Sequence, residues 1–313
     1  MRRSTTKLAR FVWRASRNLI CAVPGGSQLL FPQATLAHRF GRGDVEYALN
    51  VYRHHRSQLA RAGFKGAAAF LEVGPGRNLG TSLLWWSWAI AEGRHGARVL
   101  LWDVHRNAQP EAPGFWSDLA GQLLERVAPA TGLSEIVGDR HKAVLAEVRA
   151  AQRQPDIEYL VCPIEQFETA LDGRVFDLVS SHAALEHVWR IEKLWRILGR
   201  ATAPDGWHSH RIDLADHGRR SDNYLEMLEW SPVGWWLTMR FTPGAINRWR
   251  AAEHEAALLA QGICIQAVER EKRAALPVPR RRLAQRFRDL GEDELTTTAI
   301  DIVGLRDRTV CTF

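Results

Sequence analysis

Cysteine is scarce in this chain, and the few that occur are far apart. Cys21, Cys162, Cys264 and Cys311 are scattered over 313 residues, a spacing that indicates neither a disulfide framework nor a zinc site. Long apolar runs are also missing, since none approaches the roughly 20 residues needed to span a bilayer. The N-terminus is basic but has no continuous apolar core and no small-residue cleavage site. Secretion is therefore not expected, and the cytoplasm is the default location. No recognisable RNA- or DNA-binding module accompanies the net charge of +7, which weakens the nucleic-acid reading that an arginine-rich chain otherwise invites. The remaining composition, 46% apolar and 25% charged, is that of a globular protein. Its length suits one large α/β domain with additions, or a core with a small cap.

The most informative stretch is Phe70-Leu71-Glu72-Val73-Gly74-Pro75-Gly76-Arg77-Asn78-Leu79-Gly80. An apolar run from Ala67 to Leu71 reads as a buried strand, breaks into a glycine turn and opens a helix from Leu79 onward. That order places backbone N–H groups and a positive helix end at one edge of a parallel sheet, where α/β folds bind nucleotide-like ligands. A dinucleotide fingerprint wants a glycine at position 79, but Leu79 stands there and the third glycine is Gly80. Glu72, just before the loop, would repel a pyrophosphate; it suits a ligand carrying a positive charge.

Further strands follow at regular intervals. Val99 to Asp103 is a second, ending in a carboxylate able to accept hydrogen bonds from ribose hydroxyls. Ile157 to Val161 is a third, and Val175 to His182 a fourth that runs into Ala183-Ala184-Leu185-Glu186-His187-Val188. A helical stretch from Trp189 to Ala201 and a turn at Pro204-Asp205-Gly206 lead to a fifth, His208 to Leu214. Strands alternating with helices predict parallel βαβ units and an α/β, doubly wound, Rossmann-like sheet.

With these pieces in order, the chain resembles the class I S-adenosylmethionine-dependent methyltransferases. The likeness is carried by Glu72-Val73-Gly74-Pro75-Gly76, Asp103, Phe176-Asp177-Leu178-Val179-Ser180, Leu185-Glu186-His187-Val188 and Ala203-Pro204-Asp205-Gly206. It covers roughly residues 66 to 214, with weaker likeness at Asn247-Arg248-Trp249-Arg250, at the Gly262-Ile263 turn and in a final strand near Ala299 to Leu305. The resemblance implies S-adenosyl-L-methionine as cofactor. It also implies that Gly74, Gly76 and the adjacent Asn78 let the backbone approach it, that Glu72 faces its amino group and that Asp103 holds its ribose. In such enzymes an acid after the third strand often bonds the adenine amine; Pro163 occupies that position, and Glu165 is the substitute. Ser181 and His182 would border the methionine moiety.

Other stretches shape the expected acceptor site. Leu8, Phe11, Val12, Leu19 and Ile20 fall at helical spacing opposite Arg3, Lys7, Arg10, Arg14 and Arg17. Such a helix packs on the domain or makes peripheral contact with an anionic membrane. Residues 1–65 read as an N-terminal helical cap on a 66–313 cofactor-binding domain, with Tyr47, Tyr52, Arg53, His54 and His55 able to form a lid. An insert at about 215–245 follows the fifth strand at the sheet's ligand-binding end and is expected to select the substrate. Trp85, Trp86, Trp88, Trp230, Trp235 and Trp236 either fill cores or stack on a ligand. Asp213, Asp216 and His217 suit a hydrogen-bonded pocket better than a metal site.

The expected activity is O-methylation of a small-molecule or glycan hydroxyl, with His187 or His217 as base, oriented by Asp213 or Glu186. Ser180-Ser181-His182-Ala183 stands where amino-group methylating enzymes carry an Asn/Asp-Pro-Pro-aromatic motif. A non-catalytic methyltransferase-like binding protein and a nucleic-acid methyltransferase remain the alternatives.

Overall fold

The computed structural model describes residues 7–23, 25–30, 45–127, 137–217 and 223–307. Seven strands form one sheet in the order β3-β2-β1-β4-β5-β7-β6. They are β1 Ala69–Val73, β2 Arg98–Asp103, β3 Ile157–Val161, β4 Phe176–His182, β5 Thr202–Asp213, β6 Ile263–Lys272 and β7 Thr297–Arg306. The pairs among β1 to β5 are parallel, while β7 runs antiparallel between β5 and β6. The helices used below are α1 Lys7–Ala22, α2 Gly26–Leu30, α3 Val45–Arg61, α4 Gly80–Ala91, α5 Phe115–Arg126 and α6 Asp139–Arg149. They continue with α7 Ile164–Leu171, α8 Ile191–Arg200, α9 Pro232–Met239 and α10 Ala251–Leu259.

The sheet is covered on both sides, which is why β1 is an unbroken apolar run around one acid and not an alternating strand. On one face Phe70, Val99, Leu101 and Leu178 pack with α3 to α6. On the other, Leu71, Leu100, Val179 and Ile212 pack with α7, α8 and α10. Helix α4 is apolar all round and buried from Gly80 to Ile90, as an inner-layer helix must be. Trp85 lies 4.8 Å from Tyr52 and 5.8 Å from Phe70 between ring centroids, and Trp86 and Trp88 are buried beside it. These tryptophans fill the core, each worth several kcal/mol, about 3–5 on truncation. Trp230 and Trp235 belong to a third, smaller core beneath the connection after β5, whereas Trp236 is half exposed.

Two features differ from the sequence reading. Helix α3 is a layer helix and not a lid: Val45, Leu49, Tyr52 and Leu59 join the core around α4. Of its proposed lid residues, Tyr52 and His55 are buried; only Tyr47, Arg53 and His54 line a cleft, of about 600 Å³. Strand β5 starts at Thr202 instead of His208. Its register against β4 jumps from Phe176↔Thr202 to Leu178↔Trp207, so Pro204-Asp205-Gly206 bulges out within the strand, with Asp205 at φ +61°. The last strand, β7, is flanked on both sides, and β6 forms the edge. Among the described residues, no helix is long and apolar enough to cross a membrane.

Candidate active site

Strand order reverses between β1 and β4, and a crevice opens beyond the carboxyl ends of strands at such a point. Two turns meet there. After β1, Gly74 and Gly76 take φ of +68° and +70°, a region that L side chains enter only with strain. After β4, Ala183 takes φ +50° and Ala184 closes on the first turn. A Cβ on Gly74 would lie 2.5 Å from the Ala184 Cβ, so only glycine fits. Gly80 serves packing: a Cβ there would lie 2.8 Å from the Ala48 Cβ, between α3 and α4. Asn78 Oδ1 accepts the Gly80 N–H at 2.8 Å, holding the start of α4.

Two carboxylates flank the loop. Glu72 is buried, accepts the Ser82 hydroxyl proton at 2.5 Å and is raised by burial to about 7. Asp103 ends β2; its Oδ1 accepts the His105 N–H at 3.1 Å and its Oδ2 the Asn107 amide at 2.9 Å. Burial raises its carboxyl above the ordinary value. The Tyr159 hydroxyl braces the same loop by accepting the Asn107 N–H at 3.0 Å. Glu165 is exposed, bonded to Arg190 at 2.7 Å, and that hydrogen bond lowers its pKa.

The last two residues of β4 point to opposite faces. Ser181 heads a buried chain whose hydrogen positions follow from donor counts. Thr202 Oγ1 donates to the Leu198 carbonyl at 2.6 Å and therefore accepts from His208 Nε2 at 2.7 Å. His208 Nδ1 then accepts from His210 Nε2 at 2.9 Å, and His210 Nδ1 accepts the Ser181 hydroxyl at 2.8 Å. On the other face His182 Nδ1 lies 3.3 Å from His55 Nε2, and His55 Nδ1 lies 2.7 Å from Ser209 Oγ. Burial, then the neighbouring His54, lowers His182 to about 4. Beside it, His54 and Arg211 both bond Asp301.

Beyond Ala184, the short turn Leu185–His187 gathers the expected acid–base groups. Asn247 fixes this turn: its N–H donates to the Glu186 carbonyl at 2.6 Å, and its amide to the Leu185 and Val188 carbonyls. His187 Nδ1 donates to the Ala245 carbonyl at 3.3 Å, and burial lowers its pKa to about 4. The His187 ring centre lies 5.2 Å from that of His217. His217 Nε2 bonds Asp213 Oδ2 at 2.8 Å, while Asp213 Oδ1 accepts the Ala215 N–H at 2.8 Å. Burial pulls His217 down, but the hydrogen bond and charge of Asp213 outweigh it and leave its pKa raised. Glu186 is 2% exposed, neither oxygen has a hydrogen-bond partner, and burial raises it to about 8. Among the described residues, no group of three or more His, Cys, Asp or Glu is arranged to hold a metal ion.

Sequence reasoning thus reached His187, His217, Asp213 and Glu186, which the fold brings together. It missed Asn107, Tyr159 and Ala245, and placed Asn247 only in a weak likeness; no local pattern marks any of them.

A family model described as a methyltransferase domain matches residues 119–209, the segment from α5 into β5. The sequence resemblance implies S-adenosylmethionine as the cofactor. The residues of the crevice fit that group: two left-handed glycines, Gly74 and Gly76, present backbone without a Cβ at two points of the loop, and a carboxylate stands on either side for an ammonium and a ribose. No curated protein matches this chain. Similar solved structures include an S-adenosylmethionine-dependent methyltransferase of Mesorhizobium loti, at 20% identity and TM-score 0.41 over 81% of this chain and 96% of that one. Another is the Haemonchus contortus phosphoethanolamine N-methyltransferase 2, at 15% and 0.41 over 82% and 53%. A third belongs to a complex of the Haloferax volcanii Trm112 methyltransferase activator with a proposed methyltransferase, at 14% and 0.42 over 87% and 98%.

Proposed function

We propose that this chain is an S-adenosylmethionine-dependent methyltransferase that acts on a hydroxyl of a small molecule or glycan, with the His217–Asp213 pair taking the acceptor's proton. One juxtaposition supports the reading: His187, His217, Asp213 and Glu186 gather at the ends of β4 and β5, a short turn from the contact of Ala184 with Gly74. The bound cofactor supplies a methyl group already activated on its sulfonium. The chain must align the acceptor and receive its proton, because a hydroxyl becomes an ether only by losing it. His217 donates its Nε2–H to Asp213, leaving Nδ1 to take that proton, and the Asp213 charge stabilises the imidazolium that results. His187, held by Ala245 through Nδ1–H, keeps Nε2 as an acceptor that orients the hydroxyl, and its lowered pKa keeps it neutral.

On the cofactor side, the same reading gives Glu72 the amino group and Asp103 the ribose hydroxyls. Gly74, Gly76 and Asn78 form the loop along it, and Ser181 and His182 border the methionine moiety. Glu165 reaches the adenine amine only if its pair with Arg190 opens. In the division into a 1–65 cap and a 66–313 domain, α3 packs into the domain's own helical layer, and the 215–245 insert selects the acceptor.

Transfer of labelled methyl to panels of hydroxyl-bearing and amine-bearing compounds tests the reading. Labelled ethers are expected, and their yield should fall with His217→Ala while affinity for S-adenosylhomocysteine holds. Label on amines alone would sink the reading.

A further inference from the structure

Among the described residues, two neighbouring helices leave apolar side chains exposed. Helix α1 turns Asn18 inward, where its amide donates to the Leu237 carbonyl at 2.9 Å and its Oδ1 accepts the Phe241 N–H at 2.6 Å. That bond network ties α1 to the end of α9, and Phe11 packs on Trp230 with ring centres 6.0 Å apart. The outward residues of α1 are large and apolar: Leu8 is 71% exposed, Trp13 58% and Leu19 69%. Helix α9 continues the surface with Val233 at 68% and Trp236 at 50%. A soluble face does not need these side chains, and together they form a patch of the kind that marks an interaction site.

The surroundings are basic. Neither α1 nor α9 contains an acid. Residues 1–43 hold seven Arg, one Lys and no Asp or Glu, so this segment accounts for the whole +7 of the chain and leaves the rest close to neutral. Beside the two helices lies a cleft of about 1150 Å³ lined by Phe11, Trp230 and Ser231 with Arg281, Arg282, Arg286 and Arg288 and a single acid, Glu229, which pairs with Arg282.

We propose that α1 and α9 form a peripheral docking surface for an anionic lipid membrane. Exposed tryptophan and aliphatic side chains enter the boundary between headgroups and acyl chains, and arginines around them stay with the phosphates. A nucleic acid would use the arginines but not the exposed leucines, valines and tryptophans. The proposal is independent of the acceptor reading and concerns where the enzyme sits.

Co-sedimentation of the full chain with vesicles tests it. Vesicles of phosphatidylcholine with phosphatidylglycerol are expected to carry the protein down, and vesicles of phosphatidylcholine alone to leave it in solution. Binding should weaken with salt, and Arg281→Glu should lower it by roughly fivefold or more. Trp13→Glu with Trp236→Glu should abolish it while S-adenosylhomocysteine affinity, read by calorimetry, shows the variant folded. Equal binding to both vesicle types, or to neither, would overturn the proposal. So would light scattering that shows a dimer dissolved by the tryptophan substitutions, because the face would then join two copies of this chain.

Discussion

Glu72 and Glu186 are both buried carboxyls, but only Glu72 has a hydrogen-bond donor, Ser82. Burial leaves Glu72 half ionised near pH 7. Since only its ionised form attracts an ammonium group, S-adenosylhomocysteine affinity should rise between pH 6 and pH 8 in calorimetric titration, and Glu72→Gln should flatten that rise. Glu186, raised to about 8, keeps in the folded state a proton that the unfolded chain releases above the usual carboxylate range. Its contribution to stability therefore falls as pH climbs toward 8. Glu186→Gln should raise thermal stability at neutral pH by on the order of 2–4 kcal/mol, an advantage that disappears in acid. His217 makes a third test. Its raised pKa predicts turnover that climbs with pH above the ordinary histidine range as Nδ1 becomes free. His217→Ala should lower kcat by about 10²-fold and erase that limb.

The turn from Leu185 to His187 depends on an element it never touches in sequence. Asn247→Ala removes two side-chain hydrogen bonds to it and should lower turnover tenfold or more with little change in S-adenosylhomocysteine affinity; loss of both together would make Asn247 a support of the whole crevice. Pairings of this kind explain what the sequence could not display. Strands β1, β2 and β4 were legible because central parallel strands are buried on both faces and read as apolar runs. Glu72, Asp103 and Asp213 followed from a rule of position, an acid at or near the carboxyl end of a strand. The first half of β5 was hidden because Pro204-Asp205-Gly206 has turn chemistry, and a bulge uses the same residues as a turn. Helices α5 and α6 went unassigned, and α3 was mistaken for a lid because Tyr52 and His55 are buried through partners distant in sequence, Trp85 and Ser209. The contact of His187 with Ala245 is hidden for the same reason.

At the scale of the molecule, β3 and β6 are the two edges of the sheet, and on β6 Glu269, Glu271 and Lys272 are exposed and charged, paired with Arg61, Arg211 and Asp293. Charged edges resist strand pairing between copies, so no dimer through β6 is expected in sedimentation without lipid. The interior holds a further consequence. His55, His141, His208, His210 and His254 are almost wholly buried, and burial lowers the pKa of each. The folded chain excludes their protons while the unfolded chain binds them below about pH 6.5. Each ring then removes ~1.4 kcal/mol of stability per pH unit, against which Glu72 and Glu186 return a smaller amount. Typical domains hold only about 5–15 kcal/mol. Cooperative loss of the circular dichroism signal is therefore expected in mild acid, at about pH 5, and an unfolding midpoint far below that would mean some of these rings carry charge in the folded state. Acid tolerance is thus set by the framework: a row of imidazoles that must stay dry and neutral gives way before the His217–Asp213 pair has finished titrating.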